Sequence, residues 1–222
     1  MLLAIDTSTV QTGLALYDGL QVIGEFNWRS RGHHTTELAP ALSELMARCG
    51  LAMNDIKALG VALGPGSFTS LRAGLALAKG LALARHIPLI GIPTLDVVAA
   101  AQPARRIPMA AVLQAGRGRL AVGWYKASRS GWQAEVPAAV TNAEELAQRI
   151  QSPTIVCGEL TSEERQRLQR KHKNVVLPSS VQSLRRPAVL AELAWERWQA
   201  GKVETLASIA PIYLHVAGGP PA

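Results

Sequence analysis

Three apolar segments follow one another within the first 28 residues, and they narrow the fold more than any other feature of the chain. Residues 2–7 read as a buried strand, apolar from Leu2 to Ile5 and ending on Asp6-Thr7, while Thr12 to Tyr17 and Gln21 to Trp28 alternate apolar with polar positions. Between the last two stands Asp18-Gly19, a hairpin turn signal. The expected opening is therefore three consecutive antiparallel strands. A helix pattern follows over 35–49, with Leu38, Leu42, Leu45, Met46 and Cys49 on one face and Gly50 where a left-handed cap commonly sits. Ile56 to Leu63 reads as a strand running into Gly64-Pro65-Gly66-Ser67-Phe68-Thr69, then 70–84 as a helix and Ile87 to Ile92 as a strand. The order β-β-β-α-β-α-β requires a mixed sheet with a parallel part covered by helices.

Gln102-Pro103-Ala104-Arg105-Arg106 marks a change of composition, and the charge balance changes with it. Residues 1–101 carry 7 Lys/Arg against 7 Asp/Glu, residues 102–222 carry 16 against 9, and the second part holds the whole net charge of +7. The expected division is a first lobe over 1–101, a basic second lobe over 102–217 and a disordered tail over 218–222. In the second lobe, strands are expected over 107–113, 120–125, 134–140, 154–157 and 174–177, with a Gly-Arg-Gly turn at 116–118. Helices are expected after Thr141 and Thr161, each with a glutamate three residues on (Glu144 and Glu164) to close a capping box, and over 187–200.

With 222 residues, 48% of them hydrophobic, the chain is long enough for one or two packed cores. No apolar run reaches the roughly 18 residues of a membrane span, and no secretory signal pattern opens the chain, so the expectation is a cytoplasmic protein without a membrane partner. Cys49 and Cys157 are far apart, which suggests neither a disulfide framework nor a cysteine zinc site. The five histidines, His33, His34, His86, His172 and His215, include no pair three or four apart, so no single helix presents two of them to a metal.

Two motifs invite a phosphate. Asp6-Thr7-Ser8 ends the first strand just before a hairpin containing Thr12 and Gly13, although such residues also serve as plain turn formers. Gly64-Pro65-Gly66-Ser67 leads a strand into a helix, whose N-terminus attracts anions. The first lysine downstream is Lys79, so the run is not a P-loop, and a tight turn with Ser67 as helix cap is an equal reading. Asp6, Thr7, Ser8, Gly64, Gly66 and Ser67 are the candidate nucleotide contacts.

Ile5-Asp6-Thr7-Ser8-Thr9, Gly64-Pro65-Gly66-Ser67-Phe68-Thr69 with Leu71-Arg72-Ala73-Gly74, Gly91-Ile92-Pro93-Thr94-Leu95 and Ala210-Pro211-Ile212-Tyr213-Leu214 together resemble the TsaB (YeaZ) family at matching spacings. The likeness spans nearly the whole chain and is densest in the first lobe. It implies an α/β, two-lobed actin-like ATPase (ASKHA) fold, mixed sheets flanked by helices, with the second lobe reduced. Two departures stand out: Ser70 replaces the family's usual glycine, and Gln114 to Ala121 replaces a stretch where many relatives carry Asp-Ala-Arg and then Glu-Val-Tyr.

The resemblance further implies a non-catalytic partner of the paralogue TsaD, acting with TsaE to place threonylcarbamoyl on N6 of adenosine 37 of tRNA. It implies a TsaD heterodimer, a homodimer when alone, tRNA reached through the complex, no catalytic or metal residue, no cofactor required by this chain, and ATP or ADP at the interface of the complex. The helix over 70–84 carries only two charges, Arg72 and Lys79, and has more apolar surface than one sheet contact needs. Leu71, Ala73, Gly74, Leu77, Ala78 and Leu81, with Pro40, Ala41 and Glu44 of the preceding helix, are the expected interface; burial of both helices within the monomer is the competing reading. The rival function is a metallopeptidase of the glycoprotease-like group. A third is direct RNA binding through Arg165, Arg167, Arg170, Lys171 and Lys173, a run without the aromatics that stack bases.

Overall fold

The computed structural model describes residues 1–129, 131–171 and 173–214. The expected tail at 218–222 lies outside the described residues, as do His172 and His215. The chain forms two compact units, Met1–Thr94 with Arg186–Ile212, and Leu95–Arg185 with residues 213–214.

The first unit is built on a five-stranded sheet: β1 (Leu2–Asp6), β2 (Gln11–Tyr17), β3 (Val22–Arg29), β4 (Ala58–Ala62) and β5 (Leu89–Ile92), in the order β3-β2-β1-β4-β5. The β1-β2 and β2-β3 pairs are antiparallel and the β1-β4 and β4-β5 pairs parallel, as the element order required. β1 and β4 are buried at every position because both faces of the sheet are covered, which is why they read as unbroken apolar runs. Leu3, Ile5, Leu14, Leu59 and Val61 meet α1 (His34–Arg48) and α2 (Phe68–Arg85) on one face. On the other face lies α6 (Pro187–Gln199), which approaches so closely that a Cβ on Gly60 would stand 2.7 Å from the Ala194 methyl.

The second unit holds β6 (Met109–Gln114), β7 (Leu120–Ser128), β8 (Gly131–Ala134), β9 (Ala139–Thr141), β10 (Thr154–Gly158) and β11 (Val175–Val176), ordered β11-β10-β6-β7-β8 with β9 paired to β7. Alternation again assigns the faces. Met109, Ala111 and Leu113 pack with Leu95, Val98 and Ala99 of α3 (Thr94–Ala100), while Ala110 and Val112 pack with α4 (Ala143–Arg149) and α5 (Ser162–Lys171). No helix among the described residues is long and apolar enough to cross a membrane.

Several local expectations change. The contiguous division at 101/102 differs from the compact units, because α6 covers the first sheet and Arg186 is tied to Glu25 by an ion pair. The expected strand over 134–140 is broken: β8 ends at Ala134, residues 135–138 belong to no strand, and β9 begins at Ala139. The Thr161 capping box forms in both directions, Glu164 N–H to Thr161 Oγ1 at 3.2 Å and Thr161 N–H to Glu164 Oε2 at 2.7 Å. At α4 the cap moves one residue on: Asn142 Oδ1 accepts from Glu145 N–H at 2.9 Å, and Thr141 instead donates to the Glu145 carboxylate. α2 begins at Phe68, two residues before the expected start, with Ser67 still extended at ψ 126°.

Candidate functional site

The two phosphate-like motifs come together. β1 and β4 are parallel neighbours, so the turn after β1 and the glycine run after β4 leave the sheet side by side. Ser67 N–H donates to Ser8 O at 2.7 Å, and Thr7 Oγ1 donates to Ser70 O at 2.7 Å inside the first turn of α2. Ser8 Oγ shares a hydrogen bond with Thr94 Oγ1 at 2.7 Å; Gly64 N–H donates to the same Thr94 Oγ1 at 2.9 Å, and Thr94 N–H returns a bond to Gly64 O at 2.7 Å. Gly66 is required by proximity: a Cβ there would lie 2.0 Å from Ser8 O. Gly64 is required by its backbone, at φ +105°.

Asp6, Thr7, Ser8 and Thr94 are all buried, and the Thr7, Ser8 and Thr94 hydroxyls have protein partners. Asp6 Oδ1 accepts Ser8 N–H at 2.9 Å. The cluster therefore works as a polar staple that fixes the start of α2 against the sheet. Ser67 does not cap through its side chain; its hydroxyl accepts from Ser70 Oγ–H at 3.0 Å, which gives Ser70 a place in the turn. Thr94 enters the cluster without a motif of its own: it stands two positions beyond β5, the parallel neighbour of β4. Thr12 was also underread: its hydroxyl is 3.0 Å from His34 Nδ1, and burial lowers the His34 pKa.

The staple presents a helical surface. α2 turns Leu71, Gly74, Leu75, Ala78 and Ala82 into the unit, so Leu71, Gly74 and Ala78 are removed from the expected interface. Its outward stripe is Phe68, Arg72, Ala76, Gly80 and Leu83, with Phe68 50% and Leu83 66% exposed. The Arg72 guanidinium lies 3.6 Å from the centre of the Phe68 ring, a cation-π contact on this stripe. Leu77 and Leu81 are half-buried against the core and, with Leu42, Met46, Leu51 and Met53, line an open apolar groove of about 440 Å³ along α1 and α2. Pro40, Ala41 and Glu44 line a second hollow of about 560 Å³ with Phe26, Trp28 and Glu37. There Trp28 Nε1–H donates to Glu37 at 3.0 Å and holds that carboxyl below its usual pKa. Ala73 is half-buried at the edge of the helix.

In the second unit Gln114 ends β6 and donates through Nε2 to the Glu164 carboxylate at 2.7 Å and to Glu159 O at 3.2 Å. It thus closes off the strand end, where the sequence departs from the family pattern. Burial pushes the Cys157 thiol up to about 12, so it stays protonated and unreactive near neutral pH. Among the described residues no three His, Cys, Asp or Glu side chains converge.

These features define a class: an α/β protein of the actin-like ATPase fold, with two helix-flanked mixed sheets and a staple of hydroxyls at the first strand-helix turn. YeaZ from Pseudomonas aeruginosa superposes with a TM-score of 0.78 at 24% identity, over 96% of this chain and 99% of that one. The ethanolamine utilization protein EutJ from Carboxydothermus hydrogenoformans follows with a TM-score of 0.51 at 14% identity, over 86% and 88%. The family described as TsaD, tRNA N6-adenosine threonylcarbamoyltransferase, matches residues 29–196.

Among named relatives, the tRNA threonylcarbamoyladenosine biosynthesis protein TsaB of Escherichia coli K12 is 34% identical over 155 residues, 68% of this chain and 66% of that protein. The Bacillus subtilis protein of the same name is 34% identical over 125 residues, 56% of this chain and 55% of that one. The chain belongs to the TsaB (YeaZ) family. The alignments span about two thirds and just over half of these relatives' lengths.

Proposed function

We propose that this chain is a non-catalytic subunit that binds and activates a TsaD-type transferase in forming the threonylcarbamoyl group on N6 of adenosine 37 of tRNAs that read codons beginning with adenine. The observation that carries the reading is the open apolar groove along α1 and α2, lined by Leu77 and Leu81 on a helix whose first turn is bonded to Thr7 and Ser8. A prefixed helix surface lowers the ordering cost of association. The match to the TsaD family and the names of the relatives support the choice of partner.

In this reading TsaE joins the complex, a second copy of the chain occupies the face when TsaD is absent, and tRNA is reached through the assembly. The chain needs no cofactor of its own, and ATP or ADP sits at the interface of the complex. The Asp6-Thr7-Ser8 cluster then acts as a scaffold for α2.

The test is threonylcarbamoylation of tRNA by reconstituted components, with and without this chain, and with a Leu77→Glu variant. Omission is expected to abolish the product, the chain alone to make none, and Leu77→Glu to weaken TsaD binding by about 30-fold or more, the effect of losing a central interface contact. Full activity without the chain would overturn the proposal, as would peptide hydrolysis by the isolated chain at an enzyme's rate.

A further inference from the structure

The second unit is charged at one end. Within residues 95–185 there are 13 Lys/Arg and 7 Asp/Glu, whereas the residues of the first unit are nearly balanced. Topology sorts these charges. β6, β10 and β11 run parallel, and β7 runs antiparallel to β6 with Met109 opposite Tyr125. Segments that enter β6, β10 and β11, and the segment that leaves β7, therefore meet at a single edge of the sheet.

Arg105 and Arg106 precede β6, and Arg149 ends α4 just before β10. Arg170 lies in the last turn of α5 and Lys173 precedes β11, while Lys126 and Arg129 stand at the far end of β7. All seven are exposed, and none forms an ion pair among the described residues. Arg149 also lies 4.9 Å above the Trp124 ring.

The carboxylates are elsewhere. Glu144, Glu145, Glu159, Glu163 and Glu164 occupy the starts of α4 and α5 and the exit of β10, at the opposite end of the sheet. Only Asp96, which accepts the Tyr125 O–H at 2.7 Å, and Glu135, beside β8, lie nearer the basic edge. Helix dipoles favour cations at the ends of α4 and α5 and so account for Arg149 and Arg170. They do not account for Arg105, Arg106, Lys126 or Arg129, which belong to no helix end.

The structure also corrects the basic run read from the sequence. Arg165 is engaged with Pro178 O at 2.8 Å, and Arg167 pairs with Glu163 on the helix surface. Of the described side chains of that run, Arg170, in the last turn of α5, and Lys173, just before β11, stand at the edge, while the Lys171 side chain lies outside the described part.

We infer that this edge, where cations of four adjacent strand segments converge, is a docking surface for the phosphate backbone of RNA. Four neighbouring strands span about 15 Å, the reach of several phosphates. Trp124, Tyr125 and Trp132 lie at this end of β7 and β8, but none of them is exposed and Arg149 covers the Trp124 ring, so the edge contributes attraction and position without reading bases. A bilayer is the weaker occupant, because no Trp or Phe is exposed within the described part of 95–185 to enter the lipid interface. The choice of RNA over other polyanions rests on the tRNA-modification reading above.

The experiment uses the full chain without TsaD, so it is separate from the omission test of that reading. Binding of an unmodified tRNA transcript is followed by fluorescence anisotropy over a salt series. The edge variant is Arg106→Glu, Arg149→Glu and Lys173→Glu together; the control makes the same change of charge in the first unit through Arg31→Glu, Lys57→Glu and Lys202→Glu. Each phosphate contact contributes about 0.7–0.9 to the log-log salt slope, so the edge variant is expected to flatten the slope by about 2 and to lose at least about tenfold in affinity near 0.1 M salt. The control is expected to change affinity by less than about twofold, and Arg106→Lys with Arg149→Lys to keep it. Thermal melting verifies folding, and the milder Arg106→Gln with Lys173→Gln repeats the measurement if the charge reversals unfold. Equal losses in edge and control variants would overturn the inference, as would wild-type binding without salt dependence. Edge-dependent binding to phosphatidylserine vesicles with unchanged RNA binding would overturn it in favour of a membrane.

Discussion

Glycine to alanine substitutions at Gly74 and Gly80 lie in the same helix, and the staple gives them opposite signs. In a helix interior the added methyl restricts the unfolded chain and stabilises by about 0.5–1 kcal/mol. At Gly80, which is exposed with no atom within 4 Å of the new Cβ, that gain is expected in full. At Gly74 the Cβ would stand 2.2 Å from Thr7 Oγ1 and 3.1 Å from Thr7 Cβ. Thr7 is buried and its hydroxyl is bonded to Ser70 O, so the side chain cannot yield without giving up that bond. Overpacking costs about 1–3 kcal/mol and the lost hydrogen bond about 0.5–1.5 kcal/mol. Net of the helix gain, Gly74→Ala is expected to destabilise by about 1–3 kcal/mol.

Urea unfolding followed by far-UV circular dichroism reads both variants. The midpoint should rise for Gly80→Ala and fall for Gly74→Ala. In thermal melts the shifts should be about 2–4 °C per kcal/mol for a chain of this size. Two upward shifts of equal size would refute the staple, because they would mean that α2 is free to move away from Thr7.

Two further outcomes follow from buried polar groups. Arg185→Ala leaves the Glu159 carboxylate without its buried partner, whose side chain is 2% exposed and 2.6 Å away. A loss of about 3–5 kcal/mol is expected in urea titrations, and a loss below about 1 kcal/mol would show that the pair is solvated. For His34, burial lowers the imidazole pKa below 6.5 while Glu37 opposes the shift. The native state therefore binds fewer protons than the unfolded state between the lowered pKa and 6.5, and stability falls as pH drops through that window. His34→Gln should flatten this slope in melts between about pH 5 and 7, and an unchanged slope would assign it to another group.

Much of the first unit was legible because it is written in short-range terms. The alternation before and after Asp18-Gly19, the one-sided pattern of Leu38, Leu42, Leu45 and Met46, and the unbroken run of β1 each depend on residues within a few positions. The Thr161 and Glu164 box formed as read, since both bonds close within one helical turn. At α4, Thr141 and Asn142 both had the chemistry of a cap, and the backbone leaving β9 selected Asn142.

The candidate site was legible only in part. Asp6 to Ser8 and Gly64 to Ser67 were recognised as motifs, yet the parallel pairing of β1 with β4 is what brings Ser8 O to Ser67 N–H. Thr94 enters through β5, a third strand, and no local pattern ties it to Ser8 at a distance of 86 residues.

By itself the sequence determined most of the strands and helices and the mixed sheet of the first unit, though not α3 or the break between β8 and β9, because hydrophobic period and turn chemistry act locally on the backbone. Tertiary structure alone decided which face of the nearly all-apolar α2 is hidden, since leucines and alanines around its whole circumference leave periodicity without a preferred side. It also decided that α6 joins the first unit, and that cations scattered from Arg105 to Lys173 share one edge. Those outcomes depend on the order in which strands pair, and pairing is settled by contacts between segments far apart along the chain.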